Sequence, residues 1–147
     1  ASTCVELAKH KNIVAVKEAS GNLQQIMEIL RDKPADFDVL SGDDSITQPM
    51  MALGAKGVIS VAANGYPDLF CKMVTSMLND DTRTALELHY KTLKMNNLIF
   101  ADGNPAGIKY LMSLQKLCKN ILRLPLVTVN DIVKVDLEKE LNVMYNK

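Results

Sequence analysis

Tryptophan is absent from these 147 residues, and aromatic side chains make up only 5% of them. Glycine and proline show no excess, at 7 and 5, while 48% of residues are hydrophobic, which excludes a disordered chain and predicts a globular fold with a real core. Neither sign of charge prevails: 17 Lys and Arg face 17 Asp and Glu, so nothing here argues for nucleic acid or an anionic membrane as a partner. No apolar run approaches the ~20 residues of a membrane helix. ASTCVELAKHKN has no basic head ahead of a long apolar segment, which predicts no signal peptide. The three cysteines, Cys4, Cys71 and Cys118, are odd in number, far apart and without CxxC, as expected of reduced thiols in a cytoplasmic protein. His10 and His89 are isolated and form no HExxH, so no metal site is expected. Gly54 and Gly57 make neither GxGxxG nor a P-loop, so no nucleotide site is expected either.

What is present is an alternation. Residues 2–10 predict a helix, and IVAVKEA at 13–19, rich in β-branched residues, predicts a strand. Ser20 can cap a helix over 21–32, where Leu23, Ile26, Met27 and Leu30 recur at helical spacing. FDVLS at 37–41 predicts a second strand. Ser45–Leu53 predicts a short helix interrupted by Pro49 and closed by Gly54, and GVISVA at 57–62 a third strand. Such βαβ units mean parallel strands. Four helices follow: one opened by Pro67 and running to Leu78, one over 82–97 capped by Asp81, one begun by Asn104-Pro105 with Ile108, Leu111, Met112 and Leu117 near one face, and one capped by Asn130 or Asp131 with Val133, Leu137, Leu141 and Met144 in register. Three parallel strands with open edges make a poor free-standing sheet, so missing strands are expected from elsewhere. The opening ASTCVELAKH lacks a Met and reads as the body of a helix, as expected of the later part of a longer protein.

Parallel architectures place chemistry at the carboxyl ends of strands, here Lys17-Glu18-Ala19-Ser20, Ser41-Gly42-Asp43-Asp44 and Ile59-Ser60 onward to Asn64. Strand geometry puts Ile13, Ala15, Lys17 and Ala19 on one face and Val14, Val16 and Glu18 on the other. On an inward, apolar face, Lys17 would be held as a neutral amine able to attack a carbonyl. At a solvated edge it would reach water or pair with Glu18 or an aspartate. Gly42 can admit a ligand close to the backbone, whereas Asp44 or Ser45 reads as a helix cap. From pattern alone, Ile59 and Ser60 belong to an ordinary buried strand. The four tyrosines, Tyr66, Tyr90, Tyr110 and Tyr145, have no spacing that marks a catalytic phenol.

NIVAVKEASGNL, VLSGDD, GAKGVISVAAN, NPAGIKYLM and LRLPLV, in this order and spacing, resemble the dihydrodipicolinate synthase family. That family belongs to the pyruvate-dependent class I aldolases, with N-acetylneuraminate lyase as a relative. The resemblance covers the whole chain and matches the carboxyl-terminal half of such enzymes. It implies an α/β fold: the last three parallel strands of a (β/α)8 TIM barrel in residues 1–80, then a helical extension in 81–147. It implies that Lys17 forms a Schiff base with pyruvate. The resulting enamine adds to aspartate 4-semialdehyde, giving 4-hydroxy-tetrahydrodipicolinate in lysine (diaminopimelate) biosynthesis. Ile59 matches the position whose main chain contacts pyruvate, and Gly42 the glycine that lines the same pocket. No cofactor is implied, and Asp43, Asp44 and Asn104 receive no direct role.

The family's threonine pair, its relay tyrosines and the arginine for the second substrate belong to the amino-terminal half and are not in this sequence. The 147 residues are therefore expected to be inactive alone, to need the other half of the barrel, and, by resemblance, to assemble as a homotetramer in the cytoplasm. Two alternatives remain open: a sugar-acid aldolase of the same family, and a non-catalytic half-barrel that acts as a partner protein.

Overall fold

The computed structural model describes residues 1–145. In chain order it contains α1 (Ser2–Ala8), β1 (Ala15–Glu18), α2 (Leu23–Asp32), β2 (Asp38–Ser41), a 3-10 turn (Asp44–Ile46), α3 (Thr47–Ala52), β3 (Gly57–Val58) and a second 3-10 turn (Ala62–Asn64). Four helices then follow: α4 (Pro67–Leu78), α5 (Thr82–Leu98), α6 (Ala106–Leu114) and α7 (Asp131–Tyr145). They group into two compact units, Ala1–Ser60 with Met73–Ala85, and Val61–Lys72 with Leu86 onward.

In the first unit the strands form one parallel sheet, β1-β2-β3. Val16 lies beside Val39, Lys17 beside Leu40 and Glu18 beside Ser41, while Leu40 lies beside Gly57. Each outer strand has one neighbour, so both sheet edges are open among the described residues. One face of the sheet is covered: Phe37 and Val39 pack with Ile26 and Ile29 of α2 and Met50 and Met51 of α3. Each such side chain contributes ~1.5–3 kcal/mol on burial, which outweighs any helix-surface pair and fixes the way α2 faces.

Local expectations are corrected in several places. Asn22, not Ser20, caps α2, its side chain accepting from Gln25 N at 3.1 Å. Ile29 replaces Met27 on the buried face, and Met27 is 46% exposed. Pro49 does not interrupt α3: it is the third residue, within the first turn, where a missing N–H costs no intrahelical bond. Asp43, not Asp44 or Ser45, caps the turn after β2, accepting from Ser45 N at 3.0 Å. The third strand stops at Val58 instead of Ala62, because β2, its neighbour, ends at Ser41 and a strand is no longer than its ladder.

In the second unit Tyr66 and Phe70 meet edge to face at 6.4 Å. Met95, Ile99, Ile108, Leu111, Val133 and Leu137 are buried with them. Asn130 caps α7 through Val133 N at 3.0 Å. The sixth helix ends before Leu117, which is 59% exposed. Lys116 adopts φ +62, Lys116 N donates to Ser113 O and Leu117 N to Met112 O, both at 3.0 Å. That is a Schellman stop, with Lys116 where glycine is usual.

His89 on α5 is 7% exposed, and its Nδ1 has no hydrogen-bond partner. Burial pushes its pKa below the ordinary histidine value. The unfolded chain therefore protonates first as pH falls, so stability is full above about pH 6.5 and declines as the pH drops toward the folded value. Urea midpoints measured from pH 8 to pH 5 are expected to fall more steeply for the native protein than for H89F. Parallel slopes would show that His89 carries none of the dependence.

Candidate active site

The carboxyl ends of the three strands are tied together by main-chain bonds. Gly42 N donates to Glu18 O at 2.7 Å, and Ile59 N to Ser41 O at 2.9 Å. These bonds extend the ladder one residue past β2 and β3. Because side chains alternate, Ala15, Lys17 and Ala19 of the first strand share a face with Leu40 and Gly42 of the second and with Gly57 and Ile59 of the third. The three residues singled out in the sequence, Lys17, Gly42 and Ile59, thus come to one face. It is the face that α2 and α3 do not cover: Lys17 and Ala19 are exposed and Ile59 is 50% exposed.

Among the described residues no apolar enclosure surrounds Lys17, since β1 has a neighbour on one side only. One pattern reading is corrected here. Ile59 is not an ordinary buried strand residue, because it follows the end of β3 and faces outward from the packed layer.

Lys17 and Glu18 do not pair, because they leave the strand on opposite faces. Glu18 is buried, and its carboxylate accepts from Ser20 N at 3.2 and 3.3 Å and from Gln25 Nε2 at 3.3 Å. It closes the turn from β1 into α2. The Lys-Glu step therefore divides two tasks between two faces, with Glu18 structural and Lys17 free to face the open side.

Beneath Gly42 lies a polar knot. Ser41 and Thr47 are fully buried. Ser41 Oγ donates to Asp43 O at 2.9 Å and accepts from Asp43 N at 3.2 Å, while Thr47 Oγ1 lies 2.8 Å from Asp43 O. Buried polar groups satisfied in this way hold a turn rigidly. The sequence reading placed Ser41 and Ala19 at strand ends but gave them no role, and did not single out Thr47, because a lone serine at a strand end and a lone threonine six residues later carry no recognisable spacing. The Ala19 methyl borders the site.

Three of the four tyrosines are hydrogen-bonded within the second unit. Tyr66 donates to Asn96 Oδ1, Tyr110 to Glu138 Oε1 and Tyr145 to Asp68 Oδ1. The Glu138 carboxylate raises the Tyr110 phenol to about 12, while burial, then Asp68, pushes Tyr145 above the ordinary range. Such phenols stay protonated at neutral pH. Among the described residues no group of three or more His, Cys, Asp or Glu could hold a metal ion, the three cysteines are free, and no helix is long and apolar enough to cross a membrane.

A model of the Dihydrodipicolinate synthetase family matches residues 1–144. The 4-hydroxy-tetrahydrodipicolinate synthase of Phocaeicola vulgatus is 50% identical over 128 residues, which are 86% of this chain and 43% of that protein. That of Geobacter sulfurreducens is 48% identical over 129 residues, 88% of this chain and 44% of that protein. The crystal structure of dihydrodipicolinate synthase from Aquifex aeolicus superposes with a TM-score of 0.89 at 36% identity, covering 99% of this chain and 51% of that one. For the enzyme from Thermotoga maritima the TM-score is 0.94 at 28% identity, covering 97% of this chain and 50% of that one. The chain thus spans under half the length of these curated relatives, and its three parallel strands and trailing helices are part of a TIM barrel with its helical end. By the match of its family model and the superposition of its fold, this chain belongs to the dihydrodipicolinate synthetase family.

Proposed function

We propose that this chain is the carboxyl-terminal half of a 4-hydroxy-tetrahydrodipicolinate synthase, a lyase of lysine biosynthesis, with residues 1–80 closing the barrel and 81–147 forming its helical extension. The observation that carries this reading is the convergence of Lys17, Gly42 and Ile59 on one open face at the carboxyl ends of the strands. That end is where the catalytic groups of such barrels stand.

In the proposed reaction Lys17 Nζ attacks the ketone carbon of pyruvate, and water leaves to give an iminium. The iminium withdraws electrons, so the methyl carbon loses a proton and becomes an enamine. The enamine carbon bonds to the aldehyde carbon of aspartate 4-semialdehyde. The amine of that second substrate then attacks the former ketone carbon and expels the Lys17 amine, closing the ring. Lysine itself is the electron-withdrawing catalyst. Gly42 lines the pyruvate pocket, and the main chain at Ile59 contacts the bound keto acid. The other half of the barrel supplies the walls around Lys17 and the groups that hold the pyruvate carboxylate and relay protons. Orientation of this kind is worth up to ~7–11 kcal/mol, so the 147 residues alone are expected to turn over negligibly. A cytoplasmic homotetramer completes the proposal.

Incubation of the intact protein with pyruvate, reduction with borohydride and peptide mapping tests this. A pyruvate adduct on Lys17 is the expected result, and no adduct there would refute the Schiff-base reading. Turnover with sugar-derived aldehydes in place of aspartate 4-semialdehyde would move the assignment to the sugar-acid branch.

A further inference from the structure

We infer that Gly42 and Ala19 are positioning residues that set the path of the Lys17 side chain, with the missing side chain at position 42 as the operative feature. This rests on the Schiff-base role proposed for Lys17, and it gives Gly42 a task directed at the lysine itself, apart from lining the substrate pocket.

A Cβ placed on Gly42 would lie 2.7 Å from Lys17 Cε, 2.9 Å from Lys17 Cγ and 2.8 Å from the Ala19 methyl. Non-bonded carbons rest at about 3.5–4.0 Å, so a Cβ there forces the lysine stem and the Ala19 methyl to shift. The lysine stem therefore lies along the Gly42 Cα from its Cγ to its Cε, with Ala19 beside the same spot. The glycine is not required by backbone conformation, because it is not among the positive-φ glycines Gly21, Gly54, Gly57 and Gly103. Close approach alone requires it. The main chain at Gly42 has no freedom to retreat: its N–H is bonded to Glu18 O at 2.7 Å, and Ser41 beside it is locked in the buried knot with Asp43 and Thr47. Among the described residues, the surface formed by Gly42 and Ala19 is the wall along the four-carbon stem of Lys17.

The test uses the intact protein and the variants G42A, A19G and G42A/A19G. The readouts are the rate of borohydride-trapped pyruvate adduct on Lys17, kcat and KM for pyruvate, and Tm. G42A is expected to slow adduct formation about 100-fold, a penalty of the size that a displacement of ~1 Å can carry. The double variant removes the Ala19 clash but keeps the Lys17 clash. It is expected to recover Tm while adduct formation stays slow. Recovery of both Tm and rate would overturn the inference, since the effect would then run through the backbone and Ala19. A wild-type rate in G42A would overturn it as well. Should G42A fail to fold, comparing the double variant with A19G decides alone. An unsubstituted protein that traps no pyruvate would overturn the Schiff-base reading and this inference with it, an outcome distinct from a normal wild type with an unaffected G42A.

Discussion

Replacing Lys17 with arginine in the intact protein is expected to lower turnover by at least ~10⁴-fold while leaving the fold untouched. The guanidinium stays protonated in proteins and so cannot act as a nucleophile. Loss of a covalent catalyst removes the whole pathway, and single substitutions of such groups cost four to six orders of magnitude. Position and charge are otherwise kept, so stability should change far less than turnover does. The pairing of results is the informative part. Steady-state assay, borohydride trapping and a thermal melt on one preparation should show a dead enzyme, no adduct and an unchanged Tm. Retention of even a few per cent of activity would refute the proposed role. A collapse in Tm would mean that Lys17 supports the sheet, which the structural use of Glu18 in its place argues against.

The second large effect is on stability alone. G107A is expected to destabilise the second unit by about 3 kcal/mol. Gly107 is buried in the first turn of α6. A Cβ there would press on the backbone of Ile99, meeting its carbonyl oxygen, with the carbonyl carbon at 2.6 Å and Cα at 2.7 Å. Alanine is the better helix former by up to ~1 kcal/mol, so helix propensity alone predicts a gain. The contact decides the sign, because the obstacle is main chain and cannot swing away as a side-chain tip would. Gly65 offers the contrast: its Cβ would meet the side-chain ends of Leu111 and Ile108 at 2.8 and 2.9 Å, which can rotate. G65A is therefore expected to cost less than G107A in the same urea titration. An unchanged or raised midpoint for G107A would show that α6 can shift away from Ile99.

The start and end of α4 and the start of α5 were readable because local chemistry sets them. The helix after Pro67 runs to Leu78 as read, and Asp81 caps α5 through Thr84 N at 3.1 Å. Where two neighbouring residues could do one task, local pattern chose wrongly. Ser20 and Asn22 can both cap α2, and the path of the chain through Gly21, at φ +71, selects Asn22. Met27 and Ile29 both fit a helical stripe, and the sheet beneath α2 selects Ile29.

The sequence by itself determined which way the site residues point. Alternation along a strand is covalent geometry, so Lys17 and Ala19 had to share a face and Glu18 had to leave on the other, whatever the strand paired with. It also carried the family wording around Lys17. Only the tertiary structure decided what stands on that shared face. The register that sets Lys17 beside Leu40 and Leu40 beside Gly57 brings Gly42 against the lysine stem, and the buried knot of Ser41, Asp43 and Thr47 holds it there. Such a contact depends on packing between segments far apart in the chain. No spacing of residue types encodes it, because the space that Gly42 leaves open exists only once β1 and β2 are paired.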